Sequence, residues 1–173
     1  VHTPDDLKGL KIRVQSADLY VGMVKALGAN PTPMPYGEVY QGLVQGVVDG
    51  AENNWPSFES SRHYEVARHV TLTGHVMAPE VLVMSAKRWA KLSSEDQGVV
   101  RKAARESVAV MRGLWEKREA SSRAKAVAGV NVIADINLEA FAARMTPAWA
   151  PALKDAATAR LVQEIKSMGG ADA

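Results

Sequence analysis

Between residues 10 and 54 the chain runs strand, helix, stop, and then repeats that order. Leu10-Lys11-Ile12-Arg13-Val14 alternates apolar and basic side chains, the period-two signature of a short strand. Asp18 is placed to cap a helix whose apolar face is Leu19, Met23, Ala26 and Leu27, and Gly28 is its stop. Pro31-Thr32-Pro33-Met34-Pro35 is extended and poor in N–H donors, which bars it from the centre of an antiparallel sheet. Residues 36–45 are amphipathic and helical, with Val39, Tyr40, Leu43 and Val44 apolar, and Gly46 ends them. Val47-Val48-Asp49-Gly50-Ala51-Glu52 is a third strand, leaving through a turn. Alternating β and α units of this length predict an α/β fold with a parallel, doubly wound sheet.

Beyond Pro56 the pattern changes. Residues 57–68 read as a helix or broken helix, and 70–73 and 81–85 as two strands. Val81-Leu82-Val83-Met84 is continuously apolar, which predicts burial on both faces. Residues 86–92 form a short helix. Ser93-Ser94-Glu95-Asp96 then opens a long helix with a cap and early acids, and its candidate breakers are Gly113 and Gly129. At about 30 residues it spans about 45 Å, more than one small domain, so it is expected to cross between two. Residues 130–133 are a last strand, 137–145 and 151–168 closing helices, and 169–173 a flexible tail.

Composition removes several chemistries. The chain of 173 residues has no cysteine, which excludes disulfide scaffolds, thiolate metal sites and thiol catalysis. Its 21 basic and 19 acidic side chains leave +2, too little to imply a polyanion partner. No apolar run approaches the roughly 20 residues of a membrane span. His2, His63, His69 and His75 show no metal-ligand spacing and read as structural or surface residues. There is no G-x-S-x-G, no partner base for Ser57, Ser60 or Ser61, and no Gly-rich phosphate loop. The basic residues of the long helix, among them Arg101, Arg105, Arg112 and Lys117, alternate with acids such as Glu106, Glu116 and Glu119. That mixture marks a solvated face rather than a nucleic-acid surface. The stripe of Val99, Val100, Ala103, Ala104, Val108, Met111, Leu114 and Trp115 needs something to bury it.

Arg13 is the sharpest single residue. A strand arginine near the carboxyl end of a parallel sheet faces the crevice where such folds bind ligands. There a guanidinium can hold a carboxylate by two parallel hydrogen bonds. The competing reading is an ion pair with Glu38 or Glu52. Asn53, Asn54 and Trp55 follow the third strand at the same sheet edge. Amides beside an aromatic ring suit a polyol or sugar. An Asx turn stapled by a core tryptophan is the competing reading, and spacing alone favours it.

Three stretches occur in a telling order: D-L-K-G-L-K-I-R-V over 6–14, A-L-G-A-N-P-T-P-M-P-Y-G-E-V-Y over 26–40 and L-V-Q-G-V-V-D-G-A-E-N-N over 43–54. Together they resemble the DctP-type solute-binding proteins of TRAP transporters, over nearly the whole chain. The resemblance implies a two-lobed periplasmic-binding-protein fold of type II-like topology, of which this chain corresponds to the C-terminal part. Residues 1–78 would be the second ligand-binding lobe. Residues 79–118 would return into an incomplete first lobe and start the long linking helix. Residues 119–173 would complete that helix and add the last strand and C-terminal helices of the second lobe. Most of the N-terminal lobe would lie outside this chain.

The resemblance also assigns the site. Arg13 would pair with the ligand carboxylate, Tyr36 would line the cleft, and Asn53 would be the family's ligand-binding asparagine. The stretches 52–57 and 61–65 resemble the subgroup that binds hexuronates such as glucuronate or galacturonate, with Asn54 and Trp55 near the sugar. The function implied is capture of an organic carboxylate and its delivery to TRAP membrane permease subunits, in the periplasm of a Gram-negative bacterium. No cofactor, metal, nucleic acid or catalytic residue is expected. Two alternatives stay open: an enzyme on the same fold, and a stand-alone interaction module. With its first lobe incomplete, the chain is expected to dimerise or swap segments.

Overall fold

A computed structural model describes residues 1–169. The expected flexible tail, residues 169–173, lies outside them except for Gly169, which closes the last helix. The leading unit consists of β1 (Lys11–Val14), α1 (Asp18–Ala26), β2 (Asn30–Pro33), α2 (Val39–Val44) and β3 (Gly50–Ala51). Its strands pair in parallel in the order β2-β1-β3, so β1 is central and the chain reverses direction across the sheet at β1. The predicted doubly wound sheet is present.

The two faces of β1 do different work. Val14 packs with Met23, Val24 and Ala29 under α1, and Ile12, Tyr20 and Leu27 extend that core. Lys11 and Arg13 take the opposite face, where Lys11 Nζ donates to Gly46 O at 2.6 Å, just beyond α2. Gly28 and Gly46 stop α1 and α2 at φ +90° and +67°, a region where a Cβ is costly. Asp18 does not cap α1: Ala17 holds the cap position, and Asp18 sits in the first turn beside the positive helix end. The third strand is shorter than expected. Val47 and Val48 spend their N–H groups on Gly42 O at 2.9 and 3.2 Å, closing α2, and only Gly50 and Ala51 remain to pair with β1.

The helix expected over 57–68 is broken, as α3 (Trp55–Ser60) followed by a 3-10 turn at His63–Glu65. Strand β4 (His69–Thr71) pairs in parallel with β5 (Asn131–Ile133). Parallel neighbours require a crossover. Here it contains α4 (Ala86–Trp89) and the 34-residue α5 (Ser94–Val127). Ser93 caps α5, its Oγ accepting from Asp96 N at 3.0 Å. The strand expected at 81–85 does not form, and Val81, Leu82 and Val83 are 77%, 78% and 79% exposed. An isolated strand has nowhere to place its N–H and C=O groups except water, and no described strand lies beside this segment.

Helix α5 is packed at its far end, where Ser122 and Ala126 are buried against α3. Val99, Val108, Met111, Leu114 and Trp115 of the predicted stripe are exposed. The chain then returns through α6 (Leu138–Ala143) and α7 (Thr146–Trp149), with α7 against α1 and Met145 beside the core of β1. The helix expected at 151–168 is split, because Asp155 turns extended and caps α8 (Ala156–Gly169) by accepting Thr158 N at 2.7 Å. No described helix is long and apolar enough to cross a membrane.

Val14 has no solvent exposure and lies at the centre of this core. Removing two of its carbons should cost about 2 kcal/mol. Urea unfolding of Val14→Ala should show that loss; a change below about 0.5 kcal/mol would contradict the packing described.

Candidate ligand-binding site

Parallel sheets open a crevice at the carboxyl ends of their strands, at the point where strand order reverses. In this chain that place is where β1 meets β3. Arg13 is the third residue of β1, paired with Thr32 on one side and Ala51 on the other. Tyr36 lies three residues beyond β2, and Asn53 two residues beyond β3.

Arg13 is only 4% exposed. Its Nε and Nη2 both donate to Met34 O, at 3.0 and 2.8 Å. Among the described residues it makes no ion pair. Of the two carboxylates proposed as partners, Glu52 instead lies 3.7 Å from His75 Nε2, and Glu38 makes no ion pair among the described residues. A guanidinium carries five N–H donors. The carbonyl engages one edge, which leaves the Nη1 donors and one on Nη2 for a further acceptor. The guanidinium also lies 5.8 Å from the centre of the Tyr36 ring.

Tyr36 begins a 3-10 turn that precedes α2. Its hydroxyl donates to Ser57 O at 3.2 Å and pairs with Ser61 Oγ, which ties this loop to α3. The ring meets His63 edge-on, with centroids 6.1 Å apart. His63 is 3% exposed, and its Nε2 has no hydrogen-bond partner among the described residues. Burial lowers its pKa, and the nearby Arg13 charge lowers it further.

Asn53 Oδ1 accepts Asn54 N at 2.9 Å, and Asn54 Oδ1 accepts Ser57 N at 2.9 Å, capping α3. These contacts are a helix cap with one adjacent-residue bond, not the i+2 Asx turn read from the sequence, and Trp55 beside them is only half-buried. Both asparagine side chains are exposed, and their Nδ2 donors make no hydrogen bond among the described residues. Trp55 packs edge-on against Phe58 at 6.0 Å and sits 5.8 Å from the Arg123 guanidinium of α5. The structure thus brings Arg13 and Tyr36 into contact. It sets Asn53, Asn54 and Trp55 along the neighbouring strand end, with no hydrogen bond or ring contact to Arg13.

Two residues escaped the sequence reading. His63 was passed over with the other histidines, because burial beside Arg13 leaves no mark on local spacing. Glu59 on α3 binds α5 three ways: Arg118 at 2.8 Å, Lys125 at 3.4 Å and the Ser122 hydroxyl at 3.4 Å. Only the spacing of Arg118, Ser122 and Lys125 along one helix face hinted at a shared partner.

Residues 1–155 match the DctP family, described as bacterial extracellular solute-binding protein, family 7. The chain belongs to that family. A solute-binding protein of Chromohalobacter salexigens is 48% identical over 150 residues, 86% of this chain and 45% of that protein. A TRAP periplasmic solute-binding protein from a Bradyrhizobium species, solved with α/β-D-galacturonate, aligns at 55% identity and TM-score 0.88, covering 96% of this chain and 56% of its own. A second, from Chromohalobacter salexigens with bound D-glucuronate, aligns at 44% identity and TM-score 0.91 with the same coverage. This chain therefore spans about half the length of the DctP proteins it matches. The binding-protein fold expected from the sequence is the fold of this chain.

His63 gives the site a pH signature. Its folded pKa lies below the ordinary histidine value, so below about pH 6.5 the unfolded chain takes up a proton that the folded chain resists. Stability should therefore fall as pH drops from about 7 to about 5.5. Urea midpoints across that window should fall for the wild type and stay flatter for His63→Phe; parallel curves would assign the titration elsewhere.

Proposed function

We propose that this chain is part of the substrate-binding component of a TRAP transporter, acting in the periplasm of a Gram-negative cell. It captures an organic carboxylate, a hexuronate such as glucuronate or galacturonate, and delivers it to the membrane permease subunits. One observation carries the reading: Arg13 is buried, oriented by a neutral carbonyl, and left without a counter-ion among the described residues. A buried charge is costly unless paired, and an incoming carboxylate completes the pair. The relatives solved with galacturonate and glucuronate support the same ligand class.

In this reading Arg13 holds the carboxylate and Tyr36 walls the cleft. The free Nδ2 groups of Asn53 and Asn54 donate to sugar hydroxyls, and Trp55 offers an apolar edge beside them. Capture needs no bond broken and no general base. A charge-assisted hydrogen bond contributes roughly 1.5–3 kcal/mol, enough to select acids over neutral sugars. We assign residues 1–78 and 119–173 to one lobe and 79–118 to a second, with α5 linking them and bending on closure. The burial of Ser122 and Ala126 and the exposure of 81–83 support that division.

Arg13→Ala should abolish the rise in melting temperature produced by glucuronate or galacturonate. Each variant is compared with its own unliganded baseline, since the loss also strands Met34 O. Glucose should give no rise with either protein. A rise retained in Arg13→Ala would remove Arg13 from the site.

The uncovered apolar side chains of α5 and of 76–84 favour association of this chain with itself, by dimerisation or segment exchange. Light scattering on a sizing column should give about twice 18.6 kDa at high concentration. A constant mass of 18.6 kDa would exclude self-association.

A further inference from the structure

Among the described residues, one buried side-chain nitrogen or oxygen lacks a partner, the Nε2 of His63. Such atoms are rare in folded chains and call for a reason. The surroundings supply two further observations. First, the backbone takes an unfavourable path to put His63 there. Arg62, just before it, is the only non-glycine described residue with positive φ, at +58°. Local contacts brace it: Arg62 Nε and Nη2 both reach Glu65 Oε1 at 2.7 Å within the same turn, and Tyr40 Oη of α2 donates to Glu65 Oε2 at 3.2 Å. Residues held in sparsely populated conformations gather where a site needs a side chain in one place. Second, the imidazole packs edge-on against Tyr36, whose ring also meets the Arg13 guanidinium. One aromatic ring therefore connects the unpartnered nitrogen to the charge that awaits an anion.

We propose that His63 is a positioning residue of the acid site, and that its Nε2 takes up a hydrogen bond to an oxygen of the bound sugar acid when the ligand settles against Arg13. This rests on the reading of Arg13 as the carboxylate anchor. A neutral imidazole suits the role. It offers one donor or one acceptor according to tautomer, without setting a second cation beside Arg13. In the unliganded chain the nitrogen is buried and has no protein partner among the described residues. In the liganded chain it is paired, so the group favours the bound state over the free one and adds to ligand affinity.

The test follows the chain, isotopically labelled in its histidines, through a titration with D-glucuronate, beside His63→Phe and His63→Gln. His63→Phe keeps the ring and removes the nitrogen; His63→Gln keeps a polar nitrogen at similar reach. The Nε2 resonance of His63 should move on adding glucuronate and stay in place on adding glucose. His63→Phe should melt no lower than the wild type without ligand, yet bind glucuronate about five- to tenfold more weakly, with His63→Gln recovering part of the difference. A purely structural histidine would lower the melting temperature of both variants and leave affinity within about twofold; that result overturns the proposal. If His63→Phe does not fold, the wild-type resonance decides, and one unmoved at saturation overturns it equally. A wild type that binds neither glucuronate nor galacturonate overturns the reading of Arg13, and this inference with it. A wild type that binds while His63→Phe binds equally well overturns only the role of His63.

Discussion

The rest of the site is arranged around the bond from the Arg13 guanidinium to the carbonyl of Met34. It is made possible by sheet register. Arg13 sits opposite Thr32, so the chain leaving β2 passes the arginine side chain two residues later. A carboxylate in place of that carbonyl would orient the guanidinium equally well, but it would also cancel its charge. A neutral acceptor fixes direction and leaves the charge whole. The same short passage of chain then delivers Tyr36 to the guanidinium. Three prolines between residues 31 and 35 hold this passage extended, so carbonyl and ring keep their spacing.

A second arrangement connects the site to the long helix. Helix α3 carries the Asn54 cap and Trp55 at one end and Glu59 near the other. Glu59 gathers Arg118, Ser122 and Lys125 of α5. Each ion pair is partly exposed and worth at most about 1 kcal/mol alone. Sharing one carboxylate, they fix the rotation of α5 against α3 rather than adding much stability. Ser122 and Ala126 are small, which lets the two helices approach there. Any bending of α5 would thus be felt at Trp55, which already touches Arg123 of the same helix.

Much of this was legible in the sequence, and the exceptions share a cause. β1, the body and Gly28 stop of α1, and the cap at Ser93 follow from local patterns of period, cap and stop. Arg13 was legible because an arginine between Ile12 and Val14 violates the apolar habit of a central strand. The strand expected at 81–85 failed because an apolar run signals only a demand for partners, and no partner strand is described beside it. The third strand was overextended because the closing bonds of α2 at Gly42 claim amides that composition assigns to the sheet. His63 and Glu59 were invisible because both owe their character to contacts distant in sequence. His63 meets Tyr36 across 27 positions, and Glu59 meets Lys125 across 66.

The pairing of Arg13 with a neutral His63 bears on selectivity. Specificity is a difference between two affinities, so a site gains it by weakening the wrong ligand as well as by strengthening the right one. A neutral sugar entering beside Arg13 would displace water from a guanidinium and return a weaker bond, leaving the buried charge uncompensated. A protonated histidine nearby would raise the local charge and hold any anion, phosphate or dicarboxylate included, with little regard to shape. Burial, and after it the Arg13 charge, lower the His63 pKa and so favour its neutral form. On the proposed reading, the described side of the cleft offers Arg13 beside the amides of Asn53 and Asn54. If that reading holds, the combination would suit a molecule with a single carboxylate and many hydroxyls better than a dianion or a hexose.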